Sequence, residues 1–111
     1  MENIDREIIK ILKVLADSSR FKILHLLENN KMNAKMIQKK LGKSQSTISQ
    51  HLILLVKANL VKYTITKRRK VYSLRNPEIM KILSYIKMYV VDEHKKKLEF
   101  LQEFDRHDTL F

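Results

Sequence analysis

Hydrogen-bonding side chains are concentrated in one short stretch, GKSQSTISQHLILL at residues 42–55. Ile48, Leu52 and Leu55 recur at the spacing of one helix face, which predicts a helix that buries this face. Amide and hydroxyl groups are then left on the outer face near the start of the helix: Gln45, Ser46, Ser49 and Gln50. Amides can pair with adenine edges and hydroxyls can donate or accept, so these four are candidates for base contacts in a DNA major groove.

The charge is distributed unevenly along the chain. The 111 residues carry a net charge of +11, but the segment 29–77 contains twelve Lys and Arg residues and no Asp or Glu. This segment carries +12, so the remainder carries −1. A surface that is merely solvated usually mixes both signs. The pattern therefore predicts a polyanion partner, with nucleic acid first and an anionic membrane surface second.

Composition excludes several classes of protein. The length allows one domain, 1–111, with one modest core. The absence of Cys excludes disulfides and thiolate metal sites. An acidic N-terminal start and the lack of an apolar run of about 18 residues predict a cytoplasmic protein with no membrane segment. No paired carboxylates, Ser-His-Asp spacing or phosphate loop is recognisable, so we expect neither an enzyme nor a cofactor.

Two helices joined by a tight turn are predicted over 33–58. A short helix covers 33–41, Gly42 ends it in the left-handed conformation, and Ser44 caps the next helix. This arrangement is a helix-turn-helix whose second helix would enter a major groove. An ordinary amphipathic helical hairpin is the structural alternative.

A basic hairpin, the wing, is predicted over 60–75. Two alternating runs rich in β-branched and aromatic residues flank the tip. Four consecutive cations at the tip and three residues near the helix start are candidates for DNA backbone contacts: Lys43, Ser44, Thr47, Lys67, Arg68, Arg69 and Lys70. The tip contains no glycine, so a bulge near Arg68-Arg69 is one alternative to a regular turn.

Helices are also predicted at both ends of the chain, over 1–16 and 77–106. Their apolar stripes exceed what one small core can bury, which predicts a homodimer through these segments. The interface candidates are Ile4, Ile8, Ile82, Ile86, Tyr89 and Val90. Asn76-Pro77-Glu78 is a strong helix start, and Val91-Asp92 is an alternative break. The fold class is mainly α (α+β): a winged helix-turn-helix with a two-stranded wing and terminal dimerisation helices.

The predicted core contains Leu24, Ile37 and the buried face of the second helix of the helix-turn-helix. Phe21, Tyr63 and Tyr72 are also assigned to the core, which favours duplex DNA over RNA because RNA binders expose aromatic rings for base stacking. Ser18 or Ser19 is expected to cap the second helix of the chain.

The motifs LADSSR and SQSTISQHL resemble LADPTR and SQPTVSRHL of the ArsR/SmtB family of prokaryotic winged-helix repressors. The similarity runs from about Ile8 to Leu74. It implies a homodimer held by the first and last helices, which binds an operator with dyad symmetry. The predicted function is therefore a sequence-specific DNA-binding regulator, a dimeric repressor with no identified effector. The alternative is a winged-helix adaptor that binds RNA or another protein.

Members of this family often sense metals at two known sites, and this chain lacks the ligands at both. A Cys-x-Cys pair is replaced by Asn33 and Lys35. The positions of the second site hold Asn76, Glu78, Tyr89 and Asp92, without histidine. A shifted set, Asp92, His94, Asp105 and Asp108, is interpreted as solvated charge near the terminus. We therefore predict no metal at either site, and we interpret His51 as a packed side chain.

Overall fold

Five helices and three short strands make up the part of the chain that the computed structural model describes, residues 2–108, with side chains described from 3 to 106. In chain order the elements are α1 (Glu2–Leu15), α2 (Ser18–Leu27), β1 (Met32–Asn33), α3 (Ala34–Leu41), α4 (Gln45–Lys57), β2 (Val61–Thr66), β3 (Arg69–Leu74) and α5 (Glu78–Asp108). Two compact units are present; the first ends at Met80 and the second begins at Lys81. A helix-turn-helix, α3–α4, followed by a β-hairpin confirms the predicted winged helix-turn-helix.

The core of the first unit is formed by aliphatic side chains from α2, α3, α4 and the start of β2. Seven of them are less than 2% exposed: Ile23, Leu24, Ile37, Ile48, Leu52, Leu55 and Val61. The three predicted α4 residues are among them, because they repeat on one face of the helix. Burial of this face leaves the opposite face of α4 to solvent.

The turn between α3 and α4 has the predicted conformation. Gly42 has φ 64° and ψ 31°, and its amide donates to the Gln38 carbonyl oxygen. Ser44 then caps α4, since its Oγ accepts a hydrogen bond from the Thr47 amide at 3.2 Å. These two residues set the direction in which α4 leaves α3.

The cap of α2 differs from the prediction. Asp17, and neither Ser18 nor Ser19, occupies the cap position, and its Oδ1 accepts from the amides of Ser19 and Arg20 at 2.9 and 3.0 Å. A carboxylate at a helix N-terminus also gains from the helix dipole, which a serine hydroxyl does not. The helix consequently begins at Ser18, directly after the acid.

The sheet has three antiparallel strands in the order β1-β3-β2, one more than the predicted two-stranded wing. The added strand, β1, has two residues, and Met32 and Asn33 pair with Tyr72 and Val71. So short a strand has no alternation to detect in the sequence. It attaches the middle of β3 to the residues that precede α3.

The wing tip is a two-residue turn without a bulge. Thr66 pairs with Arg69, so Lys67 and Arg68 alone connect the strands. Their φ values are 51° and 65°. Positive φ at both central residues is the signature of a type I′ turn, which normally selects Asn-Gly. The alternative of a bulge near Arg68-Arg69 is therefore wrong.

Two of the three aromatic residues assigned to the core are exposed. Tyr72 is 9% exposed, as predicted, but Phe21 and Tyr63 are 44% and 41% exposed. Phe21 packs against the His25 ring on the outside of α2, with the ring centroids 4.4 Å apart. Tyr63 contacts Tyr72 from a wing position beyond the core, with the centroids 5.8 Å apart.

The last helix, α5, runs unbroken from Glu78 to Asp108, so Val91-Asp92 does not interrupt it. Asn76 acts at its start as predicted, because its Oδ1 accepts from the Glu78 amide at 3.0 Å. None of the helices in residues 2–108 is long and apolar enough to cross a membrane.

Candidate nucleic-acid interface

The outer face of α4 presents the four predicted base-contact residues at its N-terminal end. Gln45, Ser46 and Gln50 are exposed, whereas Ser49 is half-buried beside the buried Ile48. These side chains are uncharged donors and acceptors, a chemistry suited to base edges in a major groove. Ser49 therefore has less surface available to a partner than the other three.

Two of the predicted backbone-contact residues are engaged in capping α4. The Ser44 hydroxyl donates to Thr47 Oγ1 at 2.8 Å while it accepts from the Thr47 amide. The Ser44 proton is thus already used, and Thr47 is half-buried. The hydroxyl of Thr47 and the first amides of α4, which have no partner within a helix, can still meet a phosphate oxygen. Lys43 is exposed directly before this end of the helix.

Of the four cations at the wing tip, two form the turn and two lie on opposite faces of β3. Lys67 and Arg68 form the turn, while Arg69 and Lys70 are consecutive residues of β3 and point to opposite faces. The Lys70 ammonium lies over the Tyr63 ring, 4.6 Å from its centroid. This cation–π contact holds Lys70 on the face that carries Tyr63, so Arg69 alone extends the charge of the tip onto the other face.

A polar corner, formed by Asp17, Arg20 and His51, joins the end of α1 to α2 and α4. The sequence did not predict it. Arg20 Nε donates to the Val14 carbonyl oxygen at 2.6 Å, and Nη2 donates to that of Lys13 at 3.4 Å. Arg20 Nη1 lies 3.1 Å from His51 Nδ1. The His51 side chain is 16% exposed, which agrees with its interpretation as a packed residue, and Asp17 Oδ1 is 3.9 Å from the same nitrogen. Arg20, in α2, thereby connects the end of α1 to His51 of α4.

The charge state of Asp17 follows from this corner. The hydrogen bond from the Arg20 amide lowers the pKa of the Asp17 carboxyl group below its usual value. The charges of Arg20 and His51 act in the same direction, whereas partial burial opposes them. Asp17 therefore stays ionised and holds the start of α2 over a wide pH range.

Two of the six positions that replace family metal ligands, Asn33 and Asn76, serve as helix caps. Asn33 Oδ1 accepts from the Met36 amide at 2.9 Å, at the start of α3, and Asn76 caps α5. Neutral amides already engaged in this way, beside Lys35, are poor ligands for a transition metal. No group of three or more His, Asp or Glu side chains close enough to hold a metal ion occurs among the described residues. The Asp108 side chain of the shifted set lies outside them.

The dimer-interface candidates are exposed. In the first unit Ile4 and Ile8 are 62% and 50% exposed. In the second unit the exposed fractions are 52% for Ile82, 48% for Ile86, 68% for Tyr89 and 57% for Val90. Exposed aliphatic and aromatic side chains in this number are unusual for a protein that acts alone.

Comparison with known proteins identifies relatives of the same fold. The family described as "Bacterial regulatory protein, arsR family" matches residues 17–63. NolR from Sinorhizobium fredii is 30% identical, with a TM-score of 0.73 over 79% of this chain and 88% of that chain. HlyU from Vibrio cholerae is 28% identical, with a TM-score of 0.69 over 78% of this chain and 94% of that chain. No curated protein sequence matches the chain.

A third structure, Mb0332 from Mycobacterium bovis, shares the fold at 24% identity, with a TM-score of 0.74 over 84% of this chain and 85% of that chain. That protein is described as a homodimeric winged helix-turn-helix DNA-binding domain and a possible ArsR-family transcriptional regulator. The matched segment contains the Asp17 cap, the whole helix-turn-helix and the start of the wing. The chain belongs to the ArsR family of bacterial regulatory proteins and is a DNA-binding transcriptional regulator, not an enzyme.

Proposed function

We propose that this protein is a dimeric repressor that reads a double-stranded operator with the outer face of α4. The observation that carries the proposal is the exposed, uncharged face of Gln45, Ser46 and Gln50 inside a segment, 29–77, that has no acidic residue. The basic surroundings supply affinity for phosphate, and the neutral face supplies discrimination between bases.

The proposed roles follow from the local contacts. Gln45, Ser46 and Gln50 read base edges, and Ser49 contributes less because it is half-buried. Lys43 and the Thr47 hydroxyl contact phosphate beside the helix. Ser44 acts mainly by capping α4, since its hydroxyl proton is bonded to Thr47. At the wing tip, Lys67, Arg68 and Arg69 contact the neighbouring phosphates or the minor groove.

A comparison of Gln45→Ala with Lys43→Ala tests this division. The operator is first selected from genomic DNA, including the region upstream of the gene. Gln45→Ala is expected to weaken operator binding by about 1–3 kcal/mol and to leave random DNA nearly unaffected. Lys43→Ala is expected to weaken both by a similar factor. An equal loss on both DNAs for Gln45→Ala would show that Gln45 only positions the protein.

The homodimer is proposed from the exposed apolar side chains of α1 and α5. A two-fold axis would place two α4 helices about 34 Å apart, one turn of DNA, which gives a small domain enough contacts for specificity. The homodimeric description of Mb0332 supports the same assembly. Ile86→Asp is expected to give monomers with lost operator affinity, whereas Lys95→Asp, at an exposed position of the same helix, should remain dimeric. A wild-type monomer with full operator affinity would refute this part.

Repression is proposed because an operator-bound dimer at a promoter blocks access of the polymerase. Deletion of the gene should raise expression from a reporter driven by the selected operator region. The Gln45→Ala variant should restore repression only in part. Reduced expression after deletion would instead identify an activator.

One observation favours RNA as an alternative partner, namely the exposed ring of Tyr63 on the wing. Single-stranded RNA is commonly bound by stacking on such rings. The Lys70 ammonium lies over this ring, however, so a base would have to displace it before stacking. Gel shifts with duplex DNA and RNA of matched sequence distinguish the two partners. Tighter RNA binding that Tyr63→Ala abolishes would favour the alternative.

A further inference from the structure

A groove of about 590 Å³ lies between α1 and the C-terminal end of α4, within the first unit. Its size is in the range of small-molecule sites. It is lined by Glu7, Lys10, Ile11, Lys13, Val14, Leu54, Lys57, Ala58, Asn59 and Leu60. None of these residues belongs to the wing tip or to the proposed base-contact face of Gln45, Ser46 and Gln50. The proposed DNA contacts therefore do not account for the groove.

The lining combines apolar side chains with excess positive charge. Ile11, Val14 and Leu54 contribute aliphatic surface, and Leu54 is 41% exposed. Of the three lysines, Lys10 is bonded to Glu7, with Nζ 3.4 Å from Oε1. Among the described side chains, neither Lys13 nor Lys57 has an acidic partner within 4 Å. The groove therefore offers two uncompensated cations beside an apolar surface.

Most of the carbonyl groups at the two helix ends beside this groove already accept hydrogen bonds. The C-terminal carbonyl groups of a helix normally repel anions. At the end of α1 the carbonyl oxygens of Lys13 and Val14 accept from the Arg20 guanidinium. At the end of α4 the carbonyl oxygens of Leu54, Leu55 and Val56 accept from the next backbone amides, those of residues 58–60. Three of the last four carbonyl groups of each helix thus have a hydrogen-bond donor, which reduces the negative potential that an anion would meet in the groove.

Most of the groove residues of α1 lie on a different side of the helix from the exposed stripe of Ile4, Ile8 and Leu12, and Ile11 borders both. With 100° per residue, the groove residues of α1 centre roughly 130° around the helix from the stripe of Ile4, Ile8 and Leu12. A partner subunit on that stripe would therefore leave the groove side of α1 accessible. One helix would carry the dimer surface on one side and the groove on the other.

We propose that this groove binds an organic anion with an apolar body, a carboxylate on a hydrocarbon frame. Lys13 and Lys57 pair with the carboxylate, and the hydrocarbon lies on Val14, Leu54 and Leu60. Such a ligand contacts α1 and the last turn of the recognition helix together. Its binding therefore changes operator affinity, and this second statement rests on the proposed function.

The site is tested with decanoate as the probe and the ¹⁵N-labelled full-length protein. Saturable amide shifts are expected at Val14, Leu54 and Leu60. Decyltrimethylammonium, with the same chain and the opposite charge, should bind at least tenfold more weakly. Lys13→Gln combined with Lys57→Gln should weaken decanoate at least tenfold, while Lys39→Gln combined with Lys40→Gln, at exposed positions of α3, should not.

Three results would overturn the site: equal binding of both amphiphiles, shifts confined to the exposed apolar residues of α1 and α5, or shifts that follow protein concentration and not decanoate. The last would assign the groove to a second copy of the chain. Operator affinity is measured with and without decanoate. An unchanged affinity despite saturation would refute the regulatory statement, whereas operator binding without decanoate tests the proposed function alone.

Discussion

Replacing Lys67-Arg68 by Asn-Gly is expected to make the protein more stable and its DNA binding weaker. Both wild-type residues have positive φ, 51° and 65°, in the two-residue turn of the wing. Side chains with a Cβ are disfavoured there, and Asn-Gly is the preferred pair for a type I′ turn. The same change removes two cations from the wing tip.

The magnitudes follow from the two effects. Left-handed conformation costs roughly 1–2 kcal/mol for each non-glycine residue. Glycine loses more freedom on folding, by about 0.5–1 kcal/mol, and Asn keeps part of the strain. The free energy of unfolding should therefore rise by about 1–2 kcal/mol, which moves a urea midpoint up by about 1 M. Two lost phosphate contacts should flatten the salt slope of binding by about 1.8.

Stability is measured by circular dichroism in urea at one fixed protein concentration, because the stability of a dimer depends on concentration. Operator binding is measured by fluorescence anisotropy over a range of salt. Arg69→Gln is the control, because it removes one cation from a residue without positive φ. It should leave stability unchanged and flatten the slope by about 0.9. A double variant no more stable than wild type would refute the turn argument, and an unchanged slope would remove the tip from the DNA surface.

Three further results are expected. Gly42→Ala should lower the free energy of unfolding by about 1 kcal/mol. The loss comes from the φ of 64° alone, because a Cβ at this position meets no atom within 4 Å. Gly42→Asn should lower the free energy of unfolding by less, and a loss much larger than about 1 kcal/mol for Gly42→Ala would contradict the explanation by φ alone. The lowered pKa of Asp17 stabilises the fold above the unfolded pKa near 4 and ceases to do so as pH falls through the folded value, so the stability difference between wild type and Asp17→Asn in urea should shrink below pH 4. Stoichiometric Zn(II) should not release operator DNA in a gel shift; release that His94→Ala abolishes would identify a metal site in α5.

The helix α4 was predictable because its signals are local and agree with one another. Gly42 tolerates the left-handed turn, Ser44 caps α4, and the apolar spacing selects the buried face. The outer position of Gln45 and Gln50 follows directly from these three features. Only the partial burial of Ser49, which lies beside the core face, required the structure.

The polar corner was not predictable because its partners are distant in sequence. Arg20 and His51 are 31 positions apart, and their contact depends on how α2 packs against α4. The prediction of the α2 cap was wrong for a different reason. Three consecutive capping residues begin at Asp17, and propensity alone does not choose among them.

The wing was predicted in position but not in detail. Alternation identified β2 and β3, but a two-residue strand such as β1 has no period. The turn has residues that its conformation disfavours, so turn propensity could not identify Lys67-Arg68 as type I′. The prediction that Tyr63 belongs to the core is wrong because Tyr63, although on the same strand face as the buried Val61, lies two residues closer to the tip and is exposed.

The uncharged character of the α4 face has a consequence for selectivity inside a cell. Under the proposed assignment, the groups that distinguish one site from another, Gln45, Ser46 and Gln50, neither titrate near neutral pH nor release counterions. The charges that bind phosphate are the same at every site. A change in ionic strength would then alter how much of the protein is bound to DNA but not the order in which competing promoters are occupied. The regulator would keep its choice of genes through osmotic stress while its overall occupancy rises or falls.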